Sequence, residues 1–133
     1  MLPLNPTICF KLASRSRPEK CFDAIHNINA LIGHKNYFIL VSLDMGDPTM
    51  DKEDVRGWFH EHPECIPIWG EHKSKISAIN RDMDTVTEWD ILINTSDDMK
   101  FIIDRFGDRI IEDMRRYHPD MDGILHYPDG NEP

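Results

Sequence analysis

Short apolar runs alternate with amphipathic stretches along the chain. Five of these runs predict β-strands, because they are brief and rich in β-branched and aromatic residues: residues 7–13, 37–43, 65–69, 89–94 and 122–127. The second run is almost entirely apolar, which is typical of a strand buried on both faces of a parallel sheet. Pro67 lies in the third run and cannot donate a ladder hydrogen bond, so that strand is predicted at a sheet edge.

Helical spacing of apolar residues fills the intervals between these runs. The first helix is predicted to begin at a Ser16 cap with Pro18 in its first turn, and to end at Gly33. Two more helices are predicted over residues 51–62 and 74–83, and a long one follows the fourth strand. The long helix is predicted to carry an apolar stripe: Ile102, Ile103, Phe106, Ile110, Met114 and Tyr117.

Regular alternation of strand and helix predicts an α/β fold with a doubly wound, mostly parallel sheet. A length of 133 residues with 40% hydrophobic content suits one compact domain over residues 1–133. An exposed edge of such a sheet offers a route to a homo-oligomer.

Composition narrows the possible partners and location. The formal charge is −9, from 24 acidic and 15 basic residues, which argues against non-specific nucleic-acid binding. No apolar run approaches the ~20 residues that a membrane span needs. Three cysteines without paired spacing predict free thiols, and the first residues lack the pattern of a signal peptide. A cytoplasmic protein is therefore expected.

Polar side chains follow three of the predicted strands. Residues 14–17 (Ser-Arg-Ser-Arg) follow the first strand, Asp44 follows the second, and Asp97 and Asp98 follow the fourth. In an open parallel sheet, ligands bind beyond the carboxyl ends of the strands, so these groups are expected to converge. Carboxylates beside guanidinium groups suit a hard divalent cation shared with a phosphate-containing ligand.

Three blocks of sequence carry a resemblance to a known family. They are residues 13–18 (Ala-Ser-Arg-Ser-Arg-Pro), residues 75–80 (Lys-Ile-Ser-Ala-Ile-Asn) and residues 91–98 (Ile-Leu-Ile-Asn-Thr-Ser-Asp-Asp). In this order and spacing they resemble the GT-A-fold glycosyltransferases of the family-2 type, over roughly residues 7 to 127. That family transfers a sugar from a nucleotide-diphospho-sugar donor on a Rossmann-like sheet, so the resemblance implies a donor site at the strand ends.

The resemblance also implies individual roles. Ser14 and Asp44 would contact the base, Lys75 would lie near the pyrophosphate, Asn80 would support its loop, and Asp97 would approach the ribose. Arg15 and Arg17, at the end of the first strand, complete the predicted nucleotide-sugar site. A UDP-sugar is the donor that the family uses most often.

The acidic pair is the implied metal site. Asp98 would bind the Mg²⁺ or Mn²⁺ that bridges the diphosphate, although Ser96-Asp97-Asp98 is not a strict D-x-D element and leaves the division of roles between the two aspartates open. The family adds an acceptor-binding half with the catalytic base after the fifth strand. We therefore expect this chain to supply the donor portion, with the catalytic base and the unknown acceptor's site lying elsewhere.

Simpler interpretations stand beside these. Asp97 and Asp98 would also suit the N-terminus of the long helix, as capping residues. Asp44 would also suit an ordinary loop. A solvated surface position would suit Arg15, Arg17 and Lys75. The tryptophans are predicted to lie in the core. A zinc site at His60, His62, Cys65 and His72 is disfavoured because the spacing matches no common zinc module.

Two other functions are alternatives to glycosyl transfer. One is a non-catalytic nucleotide-binding or interaction domain of the same fold. The other is a phosphorylated receiver domain, which needs acidic residues after the first strand; this chain has basic ones there.

Overall fold

The computed structural model describes residues 2–70 and 88–117. Four parallel strands form one sheet: β1 (Ile8–Ala13), β2 (Tyr37–Asp44), β3 (Cys65–Gly70) and β4 (Ile91–Ser96). Within the described ranges three helices accompany them: α1 (Pro18–Leu31), α2 (Glu53–His60) and α3 (Phe106–Tyr117). An α/β fold with a parallel sheet is thereby confirmed. None of these helices has the length and apolar content that crossing a bilayer requires.

The strand order is β3-β2-β1-β4, so β1 is an interior strand with a parallel neighbour on each side. From β1 the chain moves outward to β2 and β3, and then returns across the sheet to β4 on the other side of β1. This reversal makes the β1–β4 boundary the switch point of the sheet, where ligands of open α/β folds bind. The edge position predicted for the strand that contains Pro67 is confirmed in the described sheet, where β3 is terminal.

The core lies between one face of the sheet and the three helices. Ile8, Phe10 and Leu12 of β1 belong to a single buried cluster with residues of all three helices. Phe10 is at the centre, with its ring 5.9 Å from that of Phe106 and 6.1 Å from that of Tyr37. The alternation of side chains in β1 therefore directs a continuous aliphatic and aromatic row at the helices.

The opposite face of the central strands is buried as well. Cys9 and Lys11 of β1 are enclosed, as are Leu40 and Ser42 of β2, and Lys11 Nζ donates a hydrogen bond to Ser42 Oγ. Burial on both faces explains why β2 reads as an unbroken apolar run. It also agrees with the layers on both sides that a doubly wound sheet has.

The first helix begins differently from its sequence-based prediction. Arg17, not Ser16, is the N-terminal cap residue, and it makes no side-chain capping bond. Ser16 has a positive φ of 61°, and Pro18 takes the first helical position. The predicted end is confirmed, since Gly33 follows the cap residue Ile32 with a φ of 70°.

The last described helix is shorter than the apolar pattern predicts. It starts at Phe106, and Ile102 precedes it in an exposed loop with 87% of its surface accessible. The predicted helical stripe was wrong there because two loop isoleucines, Ile102 and Ile103, continue the helical period by chance. The helix predicted over residues 74–83 and the strand over residues 122–127 lie outside the described residues.

The tryptophans only partly follow their prediction. Trp58 and Trp69 are half-buried, and Trp58 stacks on Phe22 with ring centroids 4.0 Å apart. Trp89 is 37% exposed just before β4. The prediction that all three lie in the core was wrong for Trp89.

Candidate functional site

The carboxyl ends of β1, β2 and β4 lie nearly level along one edge of the sheet. Ala13 of β1 pairs in register with both Ser42 of β2 and Ser96 of β4. Ser14 and Asp97 therefore follow their strands at the same level, and Asp44 lies one residue further along. Neighbouring strands are about 4.8 Å apart, so Asp44 and Asp97 begin on either side of the β1 end, about 10 Å from each other.

Asp97 is bound on both carboxylate oxygens. Ser14 Oγ donates to Asp97 Oδ2 at 2.9 Å, and Arg17 Nη2 reaches Asp97 Oδ1 at 2.5 Å. The Asp97 side chain is only 2% exposed. A buried carboxylate needs such partners, because the loss of hydration is costly unless charge-assisted hydrogen bonds replace it.

Asp98 faces solvent and is held by two cationic groups on one oxygen. Arg17 Nη1 lies 3.2 Å and Lys20 Nζ lies 3.1 Å from Asp98 Oδ1, while the Asp98 side chain stays 57% exposed. The hydrogen bond from Lys20, together with the positive charge of Arg17, holds the pKa of Asp98 below its ordinary value. Arg17 thus joins both aspartates, whereas Lys20 contacts Asp98.

Asp44 ends β2, on the other side of β1 from Asp97. Its Oδ2 lies 3.7 Å from Arg15 Nη1, and its side chain is largely shielded from solvent. By strand alternation Asp44 continues the row of Leu40 and Ser42 on the face opposite the described helices. Ser14 and Asp97 instead lie on the side of α1.

A clamp at Asp47 connects the ends of β1 and β2. Asp47 Oδ2 accepts the backbone N–H of Ser16 at 2.8 Å, and Asp47 Oδ1 accepts the backbone N–H and hydroxyl of Thr49 at 2.9 and 2.6 Å. Burial alone would raise the pKa of Asp47, but the hydrogen bonds from Thr49, Ser16 and Met50 hold it below its ordinary value. The clamp fixes Ser16 in its left-handed backbone conformation, and this sets the directions in which Arg15 and Arg17 leave the strand.

A buried thiol lies directly beneath Ser14 and Asp97. Burial raises the pKa of the Cys21 thiol to about 12, with an opposing hydrogen bond from Ser14 and a reinforcing contribution from the Asp97 charge. Cys21 is a fully buried residue of α1. It is therefore a neutral part of the site's floor and not a nucleophile.

Six of the eight residues predicted for the site share this edge of the sheet: Ser14, Arg15, Arg17, Asp44, Asp97 and Asp98. Direct contacts join Ser14, Arg17 and the acidic pair on one side, and Arg15 with Asp44 on the other. The remaining two, Lys75 and Asn80, lie outside the described residues.

Two residues at the edge were not predicted from the sequence. Lys20 was missed although it stands three residues after Arg17, a spacing that places two side chains on one helix face. A positive charge in the first turn of a helix interacts unfavourably with the helix dipole. This unfavourable position was the feature of the sequence that could have marked Lys20 as a functional residue. Asp47 was missed because its partner Ser16 is 31 residues away. The local signal was the turn pattern Asp47-Pro48-Thr49, in which Asp47 accepts hydrogen bonds from Thr49.

The simpler interpretations are partly excluded. Asp97 and Asp98 form a turn directly after β4, and α3 begins only at Phe106, so the acidic pair does not cap that helix. Arg17 makes two ion pairs and is not simply solvated, and Arg15 keeps an exposed side chain near Asp44.

The described side chains form no group of metal ligands. Throughout residues 2–70 and 88–117, no three His, Cys, Asp or Glu side chains are grouped as a metal site requires. His60, His62 and Cys65 therefore form no zinc site, and His72 lies outside these ranges. Asp98 is an accessible carboxylate, but Arg17 and Lys20 already approach its Oδ1, so the described residues contain no preformed metal site.

Comparison with known proteins finds no matching family model and no curated protein with significant similarity.

Proposed function

We propose that the chain is the donor-binding portion of a metal-dependent glycosyltransferase of the GT-A type, which transfers a sugar from a nucleoside-diphosphate sugar to an acceptor. The observation that carries the proposal is the meeting of Ser14, Arg17 and the Asp97–Asp98 pair at the switch point of a parallel sheet. Ligands of open α/β sheets bind at this position. The resemblance of the three sequence blocks supplies the substrate class.

In this proposal each part of the edge has a chemical task. Asp98 holds the divalent cation, and Asp97, fixed by Ser14 and Arg17, contacts the ribose. Asp44 and Ser14 contact the base, for which uracil is the first choice, and Arg15 and Arg17 contact the anionic part of the donor. A cation held by Asp98 would neutralise the charge that builds on the departing nucleoside diphosphate. Lys75 and Asn80 remain part of the proposed site.

Calorimetric titration with UDP tests the proposal, with and without Mn²⁺. We expect binding that requires the cation and that the Asp98→Asn variant loses by at least about tenfold, since the ion's protein carboxylate is removed. Asp104→Asn is the matched control, because Asp104 is an exposed aspartate of the same loop. Circular dichroism checks that both variants stay folded.

Two outcomes contradict the proposal. Either the unaltered chain fails to bind UDP in the presence of Mn²⁺, or Asp98→Asn binds as tightly as Asp104→Asn does.

The alternative is a non-catalytic nucleotide-binding or interaction domain of the same fold. The observation that favours it is the double engagement of Asp97, whose two oxygens already receive Ser14 and Arg17. Such a domain would bind UDP equally well with Mn²⁺ or with a chelator. The calorimetric comparison therefore separates the two functions.

A further inference from the structure

Two exposed methionines flank the acidic edge of the sheet. Met45 directly follows Asp44, the last residue of β2, and is 64% exposed. Met99 directly follows Asp98 in the segment after β4 and is 43% exposed. Both residues are therefore open to reagents dissolved in the solvent.

Met99 also closes the turn that carries Asp97 and Asp98. Its backbone N–H donates to the carbonyl of Ser96 at 3.1 Å, and its sulfur accepts the hydroxyl of Thr95 at 4.0 Å. A thioether is a weak hydrogen-bond acceptor, so the contact with Thr95 adds little. The turn is thus closed by one ordinary backbone hydrogen bond and one weak side-chain contact.

Hydrogen peroxide oxidises a methionine thioether to a sulfoxide in a balanced two-electron step. A sulfur lone pair forms a bond to one peroxide oxygen, and the O–O bond breaks. The proton of the transferred hydroxyl passes to the departing oxygen, which leaves as water. The sulfur is thereby oxidised and the peroxide is reduced, and the side chain becomes polar.

The gap between Thr95 and Met99 has room for the added oxygen. Their Oγ1 and Sδ atoms are 4.0 Å apart, which spans an S–O bond followed by an O–H···O hydrogen bond of about 2.5–3.0 Å. The Met99 side chain has three rotatable bonds and is exposed, so its sulfoxide oxygen can turn toward the hydroxyl. Oxidation therefore gives Thr95 an oxygen acceptor in place of a weak sulfur acceptor.

We infer that Met99 is a site of oxidation by peroxide, and that its sulfoxide accepts the Thr95 hydroxyl and stiffens the turn that carries Asp97 and Asp98. This makes the end of β4 responsive to the redox state of its surroundings, and a methionine sulfoxide reductase would reverse the change. The inference does not depend on the proposed function, because neither a nucleotide nor a cation takes part in it.

Limited treatment with hydrogen peroxide, followed by peptide mass spectrometry, tests the reactivity. Met50 and Met114 are buried and serve as internal controls. We expect Met45 and Met99 to be oxidised at least about tenfold faster, since a buried sulfur is shielded from the reagent. Circular dichroism checks that the chain stays folded during the treatment. If Met99 is oxidised no faster than Met50, the inference is overturned.

Hydrogen exchange of the Met99 backbone N–H, followed by NMR, tests the stiffening. This N–H is bonded to the Ser96 carbonyl and exchanges when the turn opens. We expect oxidation to slow its exchange about 3- to 10-fold in the unaltered chain, which corresponds to the gain of one hydrogen bond. Thr95→Val keeps the shape of the side chain and suits a strand, but it lacks the hydroxyl. In this variant oxidation should leave the exchange rate unchanged.

Met99→Leu is the matched control for oxidation elsewhere in the chain. It removes the reactive sulfur and keeps a similar apolar volume, so peroxide should not alter exchange at position 99 although Met45 is still oxidised. Equal slowing in Thr95→Val and the unaltered chain, or no slowing in the unaltered chain, would overturn the inference. None of these measurements involves UDP, so their failure leaves the proposed function standing, and a failure of UDP to bind leaves this inference standing.

Discussion

The carboxylate of Asp47 accepts hydrogen bonds from the segments that follow β1 and β2. It binds the N–H of Ser16 beyond β1, and the N–H and hydroxyl of Thr49 beyond β2. Because Ser16 has a positive φ, a conformation that L-residues other than Gly, Asn and Asp seldom adopt, the clamp offsets a local backbone cost. At the scale of single residues, Asp47 fixes the geometry from which Arg15 and Arg17 start.

Asp47→Asn is expected to lower the free energy of unfolding by about 1–3 kcal/mol at neutral pH. The reason is that a neutral amide replaces a buried, ionised carboxylate that accepts hydrogen bonds from Ser16 and Thr49. The pKa of Asp47 is lowered from its usual 3.8, so the folded chain binds this proton less readily than the unfolded chain does. The stabilisation is therefore complete above pH 3.8 and is lost as the pH falls through the lowered folded value. Urea unfolding at a series of pH values measures it.

The control for this prediction is Asp23→Asn, an exposed aspartate of α1 that should change stability by less than about 0.5 kcal/mol. A difference between wild type and Asp47→Asn that is the same at pH 7 and pH 3 would falsify the role assigned to the ionised carboxylate.

The sequence correctly predicted the location of the site residues that lie at the ends of strands. Ser14, Asp44 and Asp97 follow from the rule that parallel strands expose their carboxyl ends together, and the structure has them along one edge. Asp47 and Lys20 do not follow from it, since neither residue directly follows a strand. Asp47 depends on a partner 31 residues away, and the Lys20–Asp98 pair spans 78 residues.

At the scale of elements, α1 and α3 meet through a glycine. The backbone N–H of Gly107 donates to the carbonyl of Ile32 at 2.8 Å, and a Cβ on Gly107 would lie 2.7 Å from both that oxygen and Ile32 Cγ1. This close approach fixes the start of α3 against the C-terminal end of α1. The apolar period in the sequence does not contain that information, because the contact is tertiary.

Two glycine-to-alanine variants give opposite predictions. Gly107→Ala should lower stability by about 1–3 kcal/mol, because the methyl group would lie 2.7 Å from the Ile32 carbonyl oxygen, a backbone atom that cannot easily move aside. Gly57→Ala should raise it by up to about 1 kcal/mol, because Gly57 lies within α2 with nothing near its absent Cβ, and alanine has the higher helix propensity. Thermal and urea unfolding compare the two. Equal effects of the same sign would show that helix propensity, and not the contact with Ile32, governs position 107.

At the scale of the whole molecule, the interior strand β1 connects all parts of the described sheet. Its pairing with β4 joins residues 8 and 91, and its pairing with β2 joins residues 8 and 37. Helices on one face share their buried cluster with the same strand. The β2–β3 side and the β4 side therefore depend on a common centre, and we expect them to unfold together.

Tryptophan fluorescence tests this cooperativity. Trp69 lies in β3 with Arg56 over its ring at 4.0 Å, whereas Trp89 precedes β4 on the other side of the sheet. Chains that keep only Trp69 or only Trp89, with phenylalanine at the other two positions, should show urea transitions that coincide with the circular dichroism transition of the same chain. A Trp89 transition at clearly lower urea than the helical signal would indicate that the β4 side unfolds separately.

The level ends of β1, β2 and β4 have a consequence for changes in chain length. Deleting one residue from β1 would withdraw Ser14 by about 3.3 Å and exchange the two faces for every side chain beyond the deletion. Lys11 would then turn toward the helices and Leu12 away from them. Point substitutions at this edge alter one contact at a time, whereas a one-residue insertion or deletion in an interior strand dismantles the site and the core together.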